Sequence, residues 1–100
     1  MSVMSKMEKG EHFSRPVIII RKITKDLFVG IPTSTKLREG NDYFHTFKYL
    51  DKDKNELIVS ALILQLKVFS IKRLMNKIGM INKNDFDLIV SKSKNLIAPT

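Results

Sequence analysis

One hundred residues, 43% hydrophobic and 28% charged, make one globular domain and exclude a disordered or low-complexity chain. The formal net charge is +8, from 18 Lys and Arg against 10 Asp and Glu. There is no cysteine, which excludes disulfides, thiol catalysis and every cysteine-based metal site.

Residues 1–10 are polar, rich in methionine and unpatterned, and they read as a loose arm. They hold no apolar stretch of the signal-peptide kind. Residues 16–20, Pro-Val-Ile-Ile-Ile, are a β-branched run and predict a buried strand. Lys25 and Asp26 make a turn, and residues 27–31 give a second strand, so the two form a hairpin. Pro32 ends that ladder, and residues 33–36 follow as a polar loop.

Residues 39–42, Glu-Gly-Asn-Asp, signal a turn. In residues 43–49 alternation puts Tyr43, His45, Phe47 and Tyr49 on one face, and Phe44, Thr46 and Lys48 on the other. Residues 51–56 read as a charged hairpin loop. Residues 57–69 read as a strand with Leu62, Leu64, Leu66 and Val68 on one face and Ile63, Gln65, Lys67 and Phe69 on the other. Ser70 caps a short helix over 71–77, which Gly79 stops. Asn82 or Asn84 caps a last helix whose stripe is Phe86, Ile89, Val90, Leu96 and Ile97, interrupted by Ser93. Short antiparallel strands, polar loops and a terminal helix predict a mainly β fold with small α content, a compact barrel with the helix on its side.

The longest apolar run, residues 57–64, contains Ser60 and falls far short of the roughly 20 residues that cross a bilayer, so no membrane partner is expected. Each half of the chain carries 9 basic and 5 acidic side chains, so the positive excess is spread over the fold. Such a surface attracts polyanions, with nucleic acid the leading class. There is no phosphate-binding Gly-rich loop, dinucleotide fingerprint or H-E-x-x-H motif. Carboxylates at metal spacing occur as Asp51 with Asp53 and Asp85 with Asp87. The second pair falls in a helix first turn, where it suits the helix dipole. No metal site and no cofactor is expected.

Three segments, in order, resemble PemK/MazF-type toxins of toxin–antitoxin pairs. Residues 9–20, Lys-Gly-Glu-His-Phe-Ser-Arg-Pro-Val-Ile-Ile-Ile, look like that family's Gly-Glu…Arg-Pro-Val segment. Residues 30–36, Gly-Ile-Pro-Thr-Ser-Thr-Lys, look like its Pro-x-Thr/Ser-x loop. Residues 64–79 resemble its Gln-(Ile/Leu)-Arg…Arg-Leu…(Ile/Leu)-Gly block. The resemblance implies an SH3-like small β-barrel of the PemK/CcdB type over residues 10–97, with a C-terminal helix. It implies a cytoplasmic homodimer that cleaves single-stranded RNA without a metal, through the substrate's own 2′-hydroxyl, and that a cognate antitoxin protein neutralises.

The resemblance places catalysis on Arg15 and Ser34. A guanidinium at Arg15 binds phosphate in a fork and stabilises transition-state charge, while its high pKa makes it a poor base. The Ser34 hydroxyl can donate to a phosphate oxygen, and Thr33 and Thr35 flank it one residue away. Gln65 would read a base edge or brace the loop, and Lys36 and Lys67 would neutralise phosphate. Glu11 would orient Arg15, and His12 could carry a proton. His45 belongs to the aromatic strand face. The family's first strand is apolar and aromatic, a pattern residues 1–7 lack. That leaves a truncated chain, a start at an internal methionine, or a different use of the arm. Leu64 and Lys67 also stand where Ser/Glu and Arg are frequent. Two other functions fit: an RNA-binding barrel without catalysis, and a gyrase-poisoning toxin on the same kind of fold.

Overall fold

The computed structural model describes residues 2–9, 13–37, 43–51 and 53–97; for residues 2–9, 13–15, 73 and 75–77 it describes the backbone alone. Seven strands are followed by one helix: β1 (Ser2–Lys9), β2 (Phe13–Lys22), β3 (Leu27–Ser34), β4 (Phe44–Leu50), β5 (Glu56–Leu62), β6 (Lys67–Ser70), β7 (Leu74–Ile81) and α1 (Lys83–Ile97). Their sheet order is β2-β1-β7-β4-β5-β3-β6, and β2 also pairs with β3, which closes the sheet into a barrel. The expected small barrel with a C-terminal helix is thus the observed fold.

The β-branched run of β2 and the apolar β3 supply the inner wall. Ile18 and Ile31 pair across the two strands and are fully buried. Around them pack Phe47, Tyr49, Val59, Ala61, Ile63, Ile78, Ile81 and, from α1, Ile89. A smaller cluster of Val17, Phe28 and Phe69 lies on the opposite face of the same strands. The rings of Phe28 and Phe69 stack there at 5.5 Å.

Several expectations are corrected. Residues 1–9, read as a loose arm, contain β1, paired with β2 from Met4↔Ile18 to Lys9↔Phe13 and with β7 from Ser2↔Ile81 to Met7↔Leu74. Ladders on both sides override a poor strand composition, because strand preference follows context more than residue type. The predicted strand over 57–69 is broken by a 3-10 turn at Ile63–Gln65. The turn resets the alternation: Ile63 enters the core, while Leu64 is left 58% exposed. The short helix over 71–77 is only a 3-10 turn, Ile71–Arg73, which Ser70 caps by accepting the amide of Lys72. Strand β7 follows it. Gly79 stops no helix; it sits within β7, where the carbonyl of Leu50 and the ring of Tyr49 press close. Asn82 does cap α1, its Oδ1 accepting the amide of Asp85 at 2.8 Å. The stripe of α1 is shorter than expected: Ile89 and Ser93 are buried, but Ile97 is 72% exposed. The hydroxyl of Ser93 donates to the Ile89 carbonyl, which makes its burial tolerable.

Burial, and then the nearby Asp51 carboxylate, raise the pKa of Tyr49 above its ordinary 10.0. The folded state therefore holds the phenol proton more tightly than the unfolded chain does. That stability is intact below about pH 10 and is lost as pH rises from there through the folded value. In urea titrations, wild type is expected to lose more stability between about pH 9 and about pH 10.5 than Tyr49→Phe does. Equal losses would contradict this assignment.

Candidate active site

The β2–β3 hairpin builds the candidate site. Its register runs through Ile18↔Ile31 and Val17↔Pro32. Continued two residues further, it sets Arg15 opposite Ser34. The Thr33 hydroxyl donates to the Pro16 carbonyl at 3.0 Å, which holds β2 and β3 together at this end. On its other side Arg15 pairs with Met7 of β1. Continuation of that ladder would bring the two positions expected to be catalytic together across one hairpin.

Ser34 ends β3 half-buried, and its Oγ accepts the amide of Lys36 at 3.1 Å. Thr35 and Lys36 are exposed in the bend that follows. Thr33 departs from its expected substrate-binding role: it is 1% exposed and its hydroxyl is engaged by the β2 backbone. Alternation along β3 turns Thr33 inward with Ile31, away from the face of Ser34. Glu11 and His12 lie outside the described residues.

Lys67 stands opposite Gly30 on β6, and its Nζ lies 5.0 Å from the centre of the Phe69 ring. Gln65 is exposed in the 3-10 turn, so it does not share a strand face with Lys67 as the alternation predicted. Exposed Arg21, Lys22, Lys25 and Lys72 gather around the turn end of the β2–β3 hairpin, where Asp26 is the acidic residue among the described ones; Lys67 stands midway, opposite Gly30, and Lys36 follows Ser34 at the other end. These exposed cations suit a polyanion.

Ser34 also has neighbours that the sequence does not announce. It pairs with Ser60 of β5, which pairs in turn with Thr46 of β4. Alternation had put Thr46 on the face away from His45, but nothing in the sequence fixes which strand lies beside which. His45 serves the fold elsewhere, as expected of an aromatic face. Its ring stacks on Phe47 at 6.2 Å, and Nε2 lies 2.8 Å from Asp85 Oδ1. Asn82 Nδ2 donates to the other oxygen of Asp85 at 2.6 Å, and Lys92 Nζ donates to the Phe44 carbonyl at 2.9 Å. These contacts tie α1 to β4. The carboxylates at metal spacing are engaged separately: Asp87 with Lys83, and Asp51 with the amides of Asp53 and Asn55.

The sequence matches no protein-family model and no curated protein. The fold does match solved structures. One is the Mycobacterium tuberculosis toxin MazF-mt6, aligned over 95% of each chain with a TM-score of 0.73 and 13% identity. At that identity the likeness shows the fold: the chain is built on the small β-barrel of a MazF-type toxin.

Proposed function

We propose that this protein is the toxin of a toxin–antitoxin pair and a ribonuclease that cuts single-stranded RNA through the substrate's 2′-hydroxyl. The observation that carries the reading is the MazF-type barrel itself, on which the β2–β3 ladder, observed as far as Val17↔Pro32, would if continued set Arg15 across from Ser34. In the reaction the 2′-oxygen bonds to phosphorus and the bond from phosphorus to the 5′-oxygen breaks. The 2′-hydroxyl gives up its proton, and the leaving 5′-oxygen gains one. The products are a 2′,3′-cyclic phosphate and a 5′-hydroxyl. Arg15 stabilises the charge that builds on the phosphoryl oxygens, and Ser34 donates to one of them. His12 carries a proton, and Glu11 orients the guanidinium. Lys36 and Lys67 hold flanking phosphates, Gln65 meets a base, and Thr35 borders the path. The protein acts in the cytoplasm as a homodimer, without a metal. An antitoxin neutralises it by laying a disordered segment across the same groove.

The test compares an RNA with the same RNA carrying a 2′-deoxy nucleotide at the cut position, both in EDTA. Wild-type protein is expected to cut the first, leaving a cyclic phosphate, and to leave the second whole. Cutting of the deoxy strand at the same bond would rule the mechanism out. Salt-sensitive binding with no product from either strand would favour the RNA-binding barrel instead.

A further inference from the structure

The face that carries Ser34 also carries a line of hydroxyls across three strands. Ser34 stands opposite Ser60, and Ser60 stands opposite Thr46. Opposed residues of antiparallel strands share a face, with Cβ atoms about 5 Å apart. Ser60 is wholly buried, and its Oγ shares a 2.6 Å hydrogen bond with Thr46 Oγ1. Thr46 keeps part of its surface in solvent. The buried serine thus fixes the half-exposed threonine. Continued beyond Val17↔Pro32, the β2–β3 register would set position 15 at the far end of the same line.

One row along, Phe44 pairs with Leu62, and the β3–β5 register continued by one residue sets Pro32 beside Leu62. Phe44 and Pro32 are half-buried. A polar row therefore runs beside an apolar row, about 7 Å away, which is twice the rise per residue of a strand. Ser60 and Leu62 in the middle of the two rows are buried, so a single nucleic-acid strand would meet the rows at their ends, with ribose and phosphate on the Ser34 and Thr46 hydroxyls and bases on Pro32 and Phe44. From β3 to β4 is two interstrand steps, about 10 Å. Thr46 is therefore too far from Ser34 to share its phosphate and would meet a neighbouring nucleotide.

We propose that Thr46, held in place by Ser60, is a substrate-contact residue that binds a ribose-phosphate group of single-stranded RNA beside the cut site. The assignment rests on the ribonuclease reading for its position along the strand. Thr46 binds and takes no part in the chemical step, and Ser60 is a positioning residue.

The probe is a single-stranded RNA spanning the cut site, made uncleavable by a 2′-deoxy nucleotide at the cut position. Its affinity is measured for wild type, Thr46→Val, Thr46→Ser and Ser60→Ala, together with each protein's Tm and the kinetics of cutting the all-ribose strand. Thr46→Val keeps the shape and removes the hydroxyl. It is expected to weaken binding about tenfold, the size of one hydrogen bond to a charged group, and to raise KM by a similar factor with kcat unchanged; Tm should fall by no more than in Ser60→Ala, because both variants break the same bond. Thr46→Ser is expected to bind within about twofold of wild type, and Ser60→Ala to fall between the two. Unchanged affinity of Thr46→Val overturns the assignment, as does a weakening no greater than that of Ser60→Ala, which loses the same internal bond and keeps the Thr46 hydroxyl. Wild type that binds a mixed-sequence RNA and cuts none of it sinks the ribonuclease reading alone, and the same variants are then compared on that RNA. Wild type that binds no RNA overturns both.

Discussion

Arg15→Ala is expected to lower the rate of RNA cutting by about 10²–10³-fold, the loss seen when one preorganised donor to transition-state charge is removed. The charge on the phosphoryl oxygens is greatest in the transition state, so kcat should fall more than KM rises. Arg15→Lys should recover only part of the rate. An ammonium is a compact point charge and cannot fork onto two oxygens as a guanidinium does. The alanine variant should still fold, because position 15 contributes to the barrel through its backbone pairing with Met7. Single-turnover cutting of a mixed RNA in EDTA checks the result, with Tm as the control. Cutting by Arg15→Ala at the wild-type rate would remove Arg15 from the chemistry and leave the proposed mechanism without its main electrostatic group.

Gly79→Ala is expected to cost about 2–3 kcal/mol of stability, a fall in Tm of roughly 10–20 °C for a domain of this size. A Cβ built on Gly79 would stand 2.6 Å from the Leu50 carbonyl oxygen and 2.8 Å from Cδ2 of Tyr49. The first is backbone, and it belongs to the residue that pairs with Met80 to join β4 to β7. Relief would have to move a strand at the pairing that joins β4 to β7. Stiffening of the unfolded chain by alanine offsets about 0.4–1 kcal/mol, which is too little to reverse the sign. Gly30 provides the comparison. Its Cβ would meet Phe28 at 2.8 Å, Val17 at 3.0 Å and Phe69 at 3.1 Å, all side-chain atoms. Rings and methyls can give where a carbonyl cannot, so Gly30→Ala should cost less. Urea midpoints of the two variants test the ranking, and a milder effect at Gly79 would contradict it.

Local pattern carried much of the fold. The β-branched run in β2, the Lys25-Asp26 turn, the alternation of β4 and the Asn82 cap are each set by neighbours a few residues away, and each is visible in a linear reading. The proposed pair Arg15 and Ser34 comes from a motif order that spans two strands of one hairpin. The failures share a cause. Strand β1 is poor in strand formers and exists because β2 and β7 flank it. The 3-10 turn at Ile63–Gln65 and the placement of Gly79 within β7 depend on contacts with residues distant in the chain. Thr33 looked like a loop hydroxyl because Pro32 suggested the end of a ladder, yet β3 runs on to Ser34 and turns Thr33 inward.

Composition and local periodicity therefore settled a small, basic, mainly β domain with a terminal helix. They could not settle register, since register is a relation between strands and has no local signature. Strand pairing put Ser34 beside Ser60 and Ser60 beside Thr46, and the β2–β3 register points Arg15 toward the same line. It also decided which glycine the barrel cannot replace. The basic charge that first pointed to a polyanion is spread evenly along the chain, and only the fold gathers Lys72 with Arg21, Lys22 and Lys25 around the turn of the β2–β3 hairpin.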